Sequence, residues 1–467
     1  MTKLALPHLQ IPPPAPVTED IPLTPGARLF VRPELNTIIH AVIGLERDMD
    51  TETIKATAKQ SFLSKQPRFS CLLVSRGSRE YWKRVELDID RHIIAVDVPG
   101  PVEDVDRAVN DYIAELSASR PLSTDKPLWE IHALRNTSCL VIRLHHALGD
   151  GISLMAFLLS GCRKLSDPSA VSVAHSPRIK RGPTKEKISS QLCQAIKYVL
   201  LSLLFCLELI VRTLCLRDRR CLISGGKGVE SLPRKIATAK FFVADMKVVK
   251  NAVPGATIND VLLGLVSSGL SRYLAHRSAL KDRIRVTGVA MVNLRQQTGL
   301  RELTEMIKTD SQARWGNNFG TMLFPLHCST NVSDPLEYVR KANTVAEAKK
   351  RSVEAHFSYA IGNLIMSILG SKAAYFVYNR IICHTTLTLS NVMGPEEEIA
   401  IGANRIRFLR VNTTSLPHAL TMHMLSYAGR AEMQIMVAKD IIPDPEFLAK
   451  CFQDALLEMK HVALPTA

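Results

Sequence analysis

The stretch CLVIRLHHALGDGISLMAF, Cys139 to Phe157, constrains the fold more tightly than any other part of the chain. An apolar run with strand character meets two adjacent histidines, then an Asp-Gly turn, then an apolar helical pattern, ISLMAFLLSGCRKL. Strand, turn and helix therefore frame His145 and His146. Successive side chains of a strand point to opposite faces, so the pair is poorly placed to ligate one metal. No further Cys or His stands at zinc-ligand spacing, and metal binding is a minor reading. Two satisfied core histidines are the ordinary alternative. It fits less well here, because the glycines around the turn let backbone approach a ligand closely. The catalytic reading needs one imidazole in a channel, acting as a general base with a pKa near working pH. Nothing like Gly-x-Ser-x-Gly occurs. Without an evident covalent nucleophile, the simplest chemistry has histidine deprotonate a hydroxyl that attacks an activated acyl group directly.

A chain of 467 residues exceeds one ordinary core, which predicts two domains of about 200 residues each. With 46% hydrophobic and 22% charged residues it is globular rather than disordered. Fifty-nine Lys and Arg against 44 Asp and Glu leave +15, a balance that favours anionic partners: nucleic acid, a phosphorylated co-substrate or an acidic membrane face. The ten cysteines stand singly, without a Cys-x-x-Cys pair, and are expected to be reduced thiols facing the cytosol. The sequons at Asn136, Asn331 and Asn412 would matter only in a secreted protein. The proline-broken start, MTKLALPHLQIPPPAPVTED, does not read as a signal peptide.

Three regions follow from the patterning. Residues 1–165 hold the histidine segment and an amphipathic helix with Val105, Val109, Ile113 and Leu116 at helical spacing. Residues 166–234 form a basic and apolar linker. There SPRIKRGPTKEK precedes an apolar run from Tyr198 to Leu216, and RDRRCLISGGKG follows it. The run has about the length of a bilayer span, but Glu208 and Arg212 interrupt it at i and i+4, where they pair on a helix. Its basic flanks favour a membrane contact over a buried globular helix, with spanning and interfacial placement both open. Residues 235–467 alternate helices and strands. Thr257 is the expected N-cap of one helix, with Asp260 in its first turn. Asp334 is the expected N-cap of another, with Pro335 at its first position. Strand-like runs are VTGVAMVNL, FGTMLFPL, TTLTLSNV and the hairpin LTMHMLSYAGRAEMQIMVA, so the fold class is mixed α/β in layers.

The motif HHALGDG, His145 to Gly151, resembles the His-His-x-x-x-Asp-Gly signature of the CoA-dependent acyltransferase superfamily. LTPGARLF, PRFS, KPLWEIHAL, TINDVLLG, NNFGTMLFPL and LSNVMGPEE run in order over nearly the whole chain. They are similar to the plant-type wax ester synthase/diacylglycerol acyltransferase branch. Met393 departs from that pattern, where proline is common. The resemblance implies two chloramphenicol-acetyltransferase-like halves with the motif in a channel between them. It implies transfer of a long acyl chain from acyl-CoA to a fatty alcohol or to diacylglycerol. His146 would then be the general base, with His145, Asp150 and Gly151 supporting the motif. Asp150 would play a mainly structural part, bonded to the Arg295 of VNLR. No cofactor is expected, because acyl-CoA is a co-substrate.

A tetrahedral intermediate needs hydrogen-bond donors, for which Asn318, Ser390 and Asn391 are candidates against a plain turn role. Asn259 and Asp260 read as helix capping, Trp129 as a packing anchor, and GGKG as a poor phosphate loop. Basic residues are expected at the channel mouth for the CoA phosphates. No interleaving of basic and aromatic residues points to nucleic acid, so the charge is assigned to CoA and membrane. The chain thus reads as a membrane-associated acyl-CoA O-acyltransferase on the cytosolic face of the endoplasmic reticulum, with the plasma membrane as a second location. The competing readings are transfer to a soluble hydroxyl acceptor, and a catalytically silent lipid-binding or scaffold protein.

Overall fold

The computed structural model describes residues 20–63, 66–77, 79–98, 103–119, 121–166, 188–277, 283–295, 315–414 and 416–464. The basic segment SPRIKRGPTKEK, the cluster's upstream partner in the linker, lies outside them, as does the N-terminal proline-rich stretch.

Two large mixed sheets carry the protein. The first has seven strands in the order Ile93–Asp97, Trp129–Arg135, Cys139–His145, Ile38–Leu45, Asn404–Thr413, Ile399–Ile401 and Cys162–Lys164. The second has six, in the order Phe319–Cys328, Ile284–Asn293, Leu387–Met393, Leu420–Tyr427, Arg430–Ala438 and Arg234–Phe242. A three-stranded sheet, Ile21–Pro22, Arg79–Arg84 and Cys71–Arg76, covers one end.

The Cys139–His145 strand is buried throughout, and its residues alternate between two cores. Leu140, Ile142 and Leu144 enter one cluster, whereas Cys139 and Val141 enter another. Burial on both faces explains why the sequence there is a continuous apolar run rather than an alternation. The helix Ile258–His276 begins with a full capping box between Thr257 and Asp260, and with Pro445–Ala463 it covers the second sheet. The helix expected to start at Pro335 runs Leu336–Lys350, one residue later, because Asp334 Oδ1 accepts from Leu336 N at 2.9 Å.

The boundaries drawn on the sequence do not coincide with the sheets. Two strands from the C-terminal region, Ile399–Ile401 and Asn404–Thr413, belong to the seven-stranded sheet. Asn404–Thr413 pairs antiparallel along Ile38–Leu45 and so closes an edge that would otherwise carry unpaired backbone. It also carries Arg410, buried between the sheets, which bonds Glu432 of the second sheet at 2.5 Å and Asp106 at 2.6 Å. The exchanged strand therefore ties the halves together with paired charges rather than a linker.

The apolar run expected from Tyr198 to Leu216 lies, but for its last two residues, in a helix that starts earlier, Ile188–Leu214. Its inner face is Ser202, Leu209 and Arg212, all buried. Arg212 bonds Glu208 at 3.3 Å, Asp218 at 3.0 Å and Thr287 Oγ1 at 2.8 Å, which fastens the helix to the second sheet. Its outer face, Leu200, Leu203, Leu204, Leu207 and Leu214, is exposed at helical spacing. Nine of the ten cysteines are free thiols.

Candidate active site

His145 ends the buried strand, and His146 opens a 3-10 turn over His146–Leu148. The two rings part company there. His145 Nδ1 accepts from Ala147 N at 3.1 Å, and its Nε2 donates to Asn36 Oδ1 at 3.1 Å. One nitrogen is spent on the backbone and the other on the Asn36 side chain, and burial lowers its pKa to about 3.

His146 turns toward a cavity of about 210 Å³ between the sheets, walled by Ile39, Ile142, Leu144, Met155, Val411 and Leu425. Its Nδ1 stands 3.1 Å from Asn317 Oδ1, while Asn317 Nδ2 donates to the His146 carbonyl at 3.0 Å. The second contact fixes which end of the amide is which. Because Nδ2 must face the carbonyl, Oδ1 must face the ring, and Nδ1 carries the proton. Nε2 is thereby the free acceptor, and it has no protein partner among the described residues. Burial lowers the His146 pKa, opposed by its own backbone, the Asp150 carboxylate and Asn317. The ring stays neutral near pH 7, the form a base requires.

Phe30 stacks on His146 with ring centroids 4.0 Å apart, and Phe319 presents its edge at 6.1 Å. Phe30 arrives on the short helix Pro25–Phe30, capped by Thr24. Gly26 of that helix faces Asn317, where a Cβ would come within 2.8 Å of the Asn317 Cβ. Glycine lets the helix sit low enough to place Phe30 on the imidazole.

Asp150 caps the helix Gly151–Ser160, its Oδ1 accepting from Ser153 N at 3.0 Å. Its Oδ2 accepts from Arg295 Nη1 at 2.7 Å and from Asn318 N at 3.0 Å. Arg295 also donates to the Gly316 carbonyl at 2.8 Å. The carboxylate thus binds the histidine loop to Arg295 and Asn318, and none of these bonds goes to the His146 ring. Gly151 lines the chamber at the start of that helix.

Of the three expected oxyanion donors, Ser390 and Asn391 line the chamber. Asn391 Nδ2 donates to Asn259 Oδ1 at 2.7 Å, so Asn259 orients a chamber residue, whereas Asp260 does the capping. Asn318 is a correction: it does not line the chamber, and its backbone N–H is committed to Asp150. The neighbouring Asn317 does not line the chamber either but bonds the His146 ring and carbonyl. Met393 is exposed at its strand end and does not touch the chamber.

Three residues escaped the sequence reading. Phe30 and Asn317 stood inside quoted motifs, but nothing local says which of two adjacent asparagines bonds the His146 ring. His423, also in the chamber wall, lay in a strand whose apolar pattern concealed it. Its Nε2 meets Thr413 Oγ1 at 3.2 Å, and its buried Nδ1 has no hydrogen-bond partner among the described residues.

Buried neutral histidines make the fold sensitive to acid. Burial lowers His40 and His145 to about 3, and His418 and His423 to about 4, from 6.5. Below the ordinary value the unfolded chain takes up protons that the folded chain refuses. Stability is therefore present above 6.5 and lost as pH falls toward the folded values, by about 1.4 kcal/mol per unit for each group. Scanning calorimetry should show a clearly lower Tm near pH 5.5 than near pH 7.5; an equal Tm would contradict neutral burial.

A two-sheet fold with a histidine over an apolar chamber between its halves is that of the chloramphenicol-acetyltransferase-like acyltransferases. Residues 42–262 match the family model described as the wax ester synthase/diacylglycerol acyltransferase catalytic domain, and 315–460 match the WS/DGAT C-terminal domain. The chain is an acyltransferase and belongs to the wax ester synthase/diacylglycerol acyltransferase family. It is 34% identical over 472 residues to wax ester synthase/diacylglycerol acyltransferase 11 of Arabidopsis thaliana, covering 96% of each chain. To number 4 of that plant it is 33% identical, covering 95% of this chain and 90% of the relative. Among solved structures, the wax ester synthase/diacylglycerol acyltransferase from Marinobacter aquaeolei VT8 superposes with a TM-score of 0.59 at 18% identity. That match covers 95% of this chain and 99% of the other. A trichothecene 15-O-acetyltransferase from Fusarium sporotrichioides gives 0.60 at 12% identity, covering 95% of each.

Proposed function

We propose that the protein moves a long acyl chain from acyl-CoA to a fatty alcohol, to diacylglycerol, or to both, with His146 as general base. The observation that carries this reading is the Asn317 amide, which holds Nδ1 and leaves Nε2 facing an apolar chamber. The acceptor hydroxyl gives its proton to Nε2 as its oxygen bonds the thioester carbonyl carbon. Ser390 Oγ and Asn391 Nδ2 are the proposed donors to the resulting oxyanion. When the C–S bond breaks, the imidazolium returns the proton to the CoA thiolate, leaving ester, free thiol and neutral histidine. No acyl-enzyme forms. The reaction needs no cofactor beyond its co-substrate. His145, Asp150, Gly151 and Arg295 hold the loop.

The exposed leucine stripe of Ile188–Leu214 supports membrane association, and the exposed Arg217, Arg219 and Arg220 beyond it suit anionic headgroups. Arg212, buried against the second sheet, favours a helix lying in the interface over one that spans. The cytosolic face of the endoplasmic reticulum, and the plasma membrane as a second location, are where acyl-CoA and such acceptors meet. The stripe weighs against a soluble acceptor. A free imidazole in the chamber weighs against a silent scaffold. Purified protein given labelled palmitoyl-CoA and vesicles of anionic phospholipid containing hexadecanol or dioleoylglycerol should make labelled wax ester or triacylglycerol. Leu203→Glu/Leu207→Glu should weaken its binding to the vesicles, and high salt alone should not. Label appearing only in hydrolysed palmitate would sink the transferase reading, and undiminished vesicle binding by the double variant would sink the helix assignment.

A further inference from the structure

A second cavity, of about 120 Å³, adjoins the first. Phe30, Phe319 and Tyr378 line both, and Asn317, the partner of His146, lines the second. The rings of Phe30, Phe319 and Tyr378 therefore form a wall shared by this cavity and the chamber of the base.

Its outer walls come from one element, the segment Glu354–Cys383. Gly370 breaks that segment with φ 80° and ψ −179°, a conformation essentially reserved for glycine. Two helical arms result. Tyr359, Gly362 and Met366 from the first and Ala374, Val377 and Tyr378 from the second line the same cavity, so the arms form a V around it. The base of the V is anchored. Val353 N donates to Ser202 Oγ at 3.2 Å at one end, and Arg380 Nε donates to the Thr213 carbonyl at 3.1 Å at the other. Both contacts lie on the helix with the exposed leucine stripe.

The tip of the V is apolar and bare. Ile368 is 70% exposed, Leu369 66% and Phe376 62%, with Leu364 at 52%. Lys372 is exposed among them, as a lysine at a lipid headgroup would be. The kink leaves neither arm the roughly 20 residues needed to cross a bilayer. A bare apolar tip on an arm too short to span belongs in the outer part of a bilayer leaflet.

We infer that this helical V dips into the membrane and that its cavity receives the hydrocarbon chain of the acceptor from the leaflet. The chain lies between the arms, and its hydroxyl end passes the Phe30, Phe319 and Tyr378 rings to reach His146. Acyl-CoA need not use this path, so the donor and the acceptor approach the base from different sides. This inference rests on the reading of His146 as the base of an acyl transfer.

Gly362 provides the test, because a Cβ added there meets nothing within 4 Å and the residue sits in a helix that tolerates a side chain. Gly362→Trp projects a ring into the cavity, and Gly362→Leu a smaller group. A buried methylene is worth about 0.8 kcal/mol, or roughly fourfold in binding, so displacing two or three should cost at least about tenfold. The ratio of kcat/KM for hexadecanol over that for hexanol should fall by that much with Trp and by less with Leu, at constant KM for palmitoyl-CoA. A ratio unchanged in both variants would overturn the inference while leaving acyl transfer intact. Absence of transfer to either alcohol by the unsubstituted protein would instead overturn the reading beneath it. Ile368→Glu/Leu369→Glu, on the exposed tip, should slow transfer to hexadecanol in phosphatidylcholine vesicles and spare transfer to hexadecanol carried by cyclodextrin. Equal rates from vesicles with and without the two glutamates would overturn delivery from the membrane.

Discussion

His146→Ala is expected to lower kcat by roughly 10²–10⁴-fold, the usual contribution of a positioned general base. Binding of palmitoyl-CoA should survive, because the chamber walls are aliphatic side chains from both sheets and the substitution removes only the ring against Phe30. The pH profile gives an independent check on the unsubstituted enzyme. A base acts when deprotonated, and burial lowers the His146 pKa, so activity should persist below 6.5 and fail only as pH drops through the lowered value. Asn317→Ala should move that acidic limb, since its Oδ1 accepts from Nδ1 and its loss frees the tautomer. Asn317→Asp adds a carboxylate at the same place and should shift the limb upward. Near-normal turnover by His146→Ala would sink the assignment, and an acidic limb identical in all three Asn317 forms would sink the positioning role.

Asp150→Asn and Arg295→Met should each destabilise the protein as well as inactivate it. The pair is buried, with Asp150 5% and Arg295 8% exposed, and its 2.7 Å contact is surrounded by committed hydrogen bonds. Removing one member of a buried pair typically costs about 3–5 kcal/mol, because the other charge remains without compensation. Asparagine is itself a good N-cap, so Asp150→Asn keeps the bond to Ser153 N while its amide nitrogen takes the place of the acceptor that faced Arg295 and Asn318 N. Arg295→Met also removes the bonds to the Gly316 carbonyl and to Ser153 Oγ, so its loss should be the larger. The double variant should lose less than the two single losses together, because neither charge is left behind. Denaturant unfolding of the four forms measures this. Full stability with lost turnover in Asp150→Asn would instead make the carboxylate an orienting group for the imidazole.

Much of the fold was legible because it is written in short windows. The Cys139–His145 strand, the Thr257 capping box and the hairpin of Leu420–Tyr427 and Arg430–Ala438 each depend on periodicity or a few neighbouring polar atoms. The placement of Asn404–Thr413 was not legible. Its sequence, NRIRFLRVNT, mixes charge and apolar residues, and it is a strand of the first sheet only because Ile38–Leu45 offers it an open edge. The kinked segment behaves likewise. Its apolar composition is compatible with one long core helix, and only the backbone at Gly370 turns it into two arms with a bare tip.

By itself the sequence determined the family and the strand, turn and helix around the two histidines; their side chains part because the strand ends at His145 and His146 opens the 3-10 turn. Tertiary structure alone decided which groups surround His146. Asn317, and not Asn318, meets the ring because Asp150 holds the Asn318 N–H and turns that residue away. Phe30 reaches the imidazole because Gly26 lets a distant helix settle against Asn317. Each of these contacts joins residues more than a hundred positions apart, where no local preference acts and only the meeting of two packed halves sets the geometry.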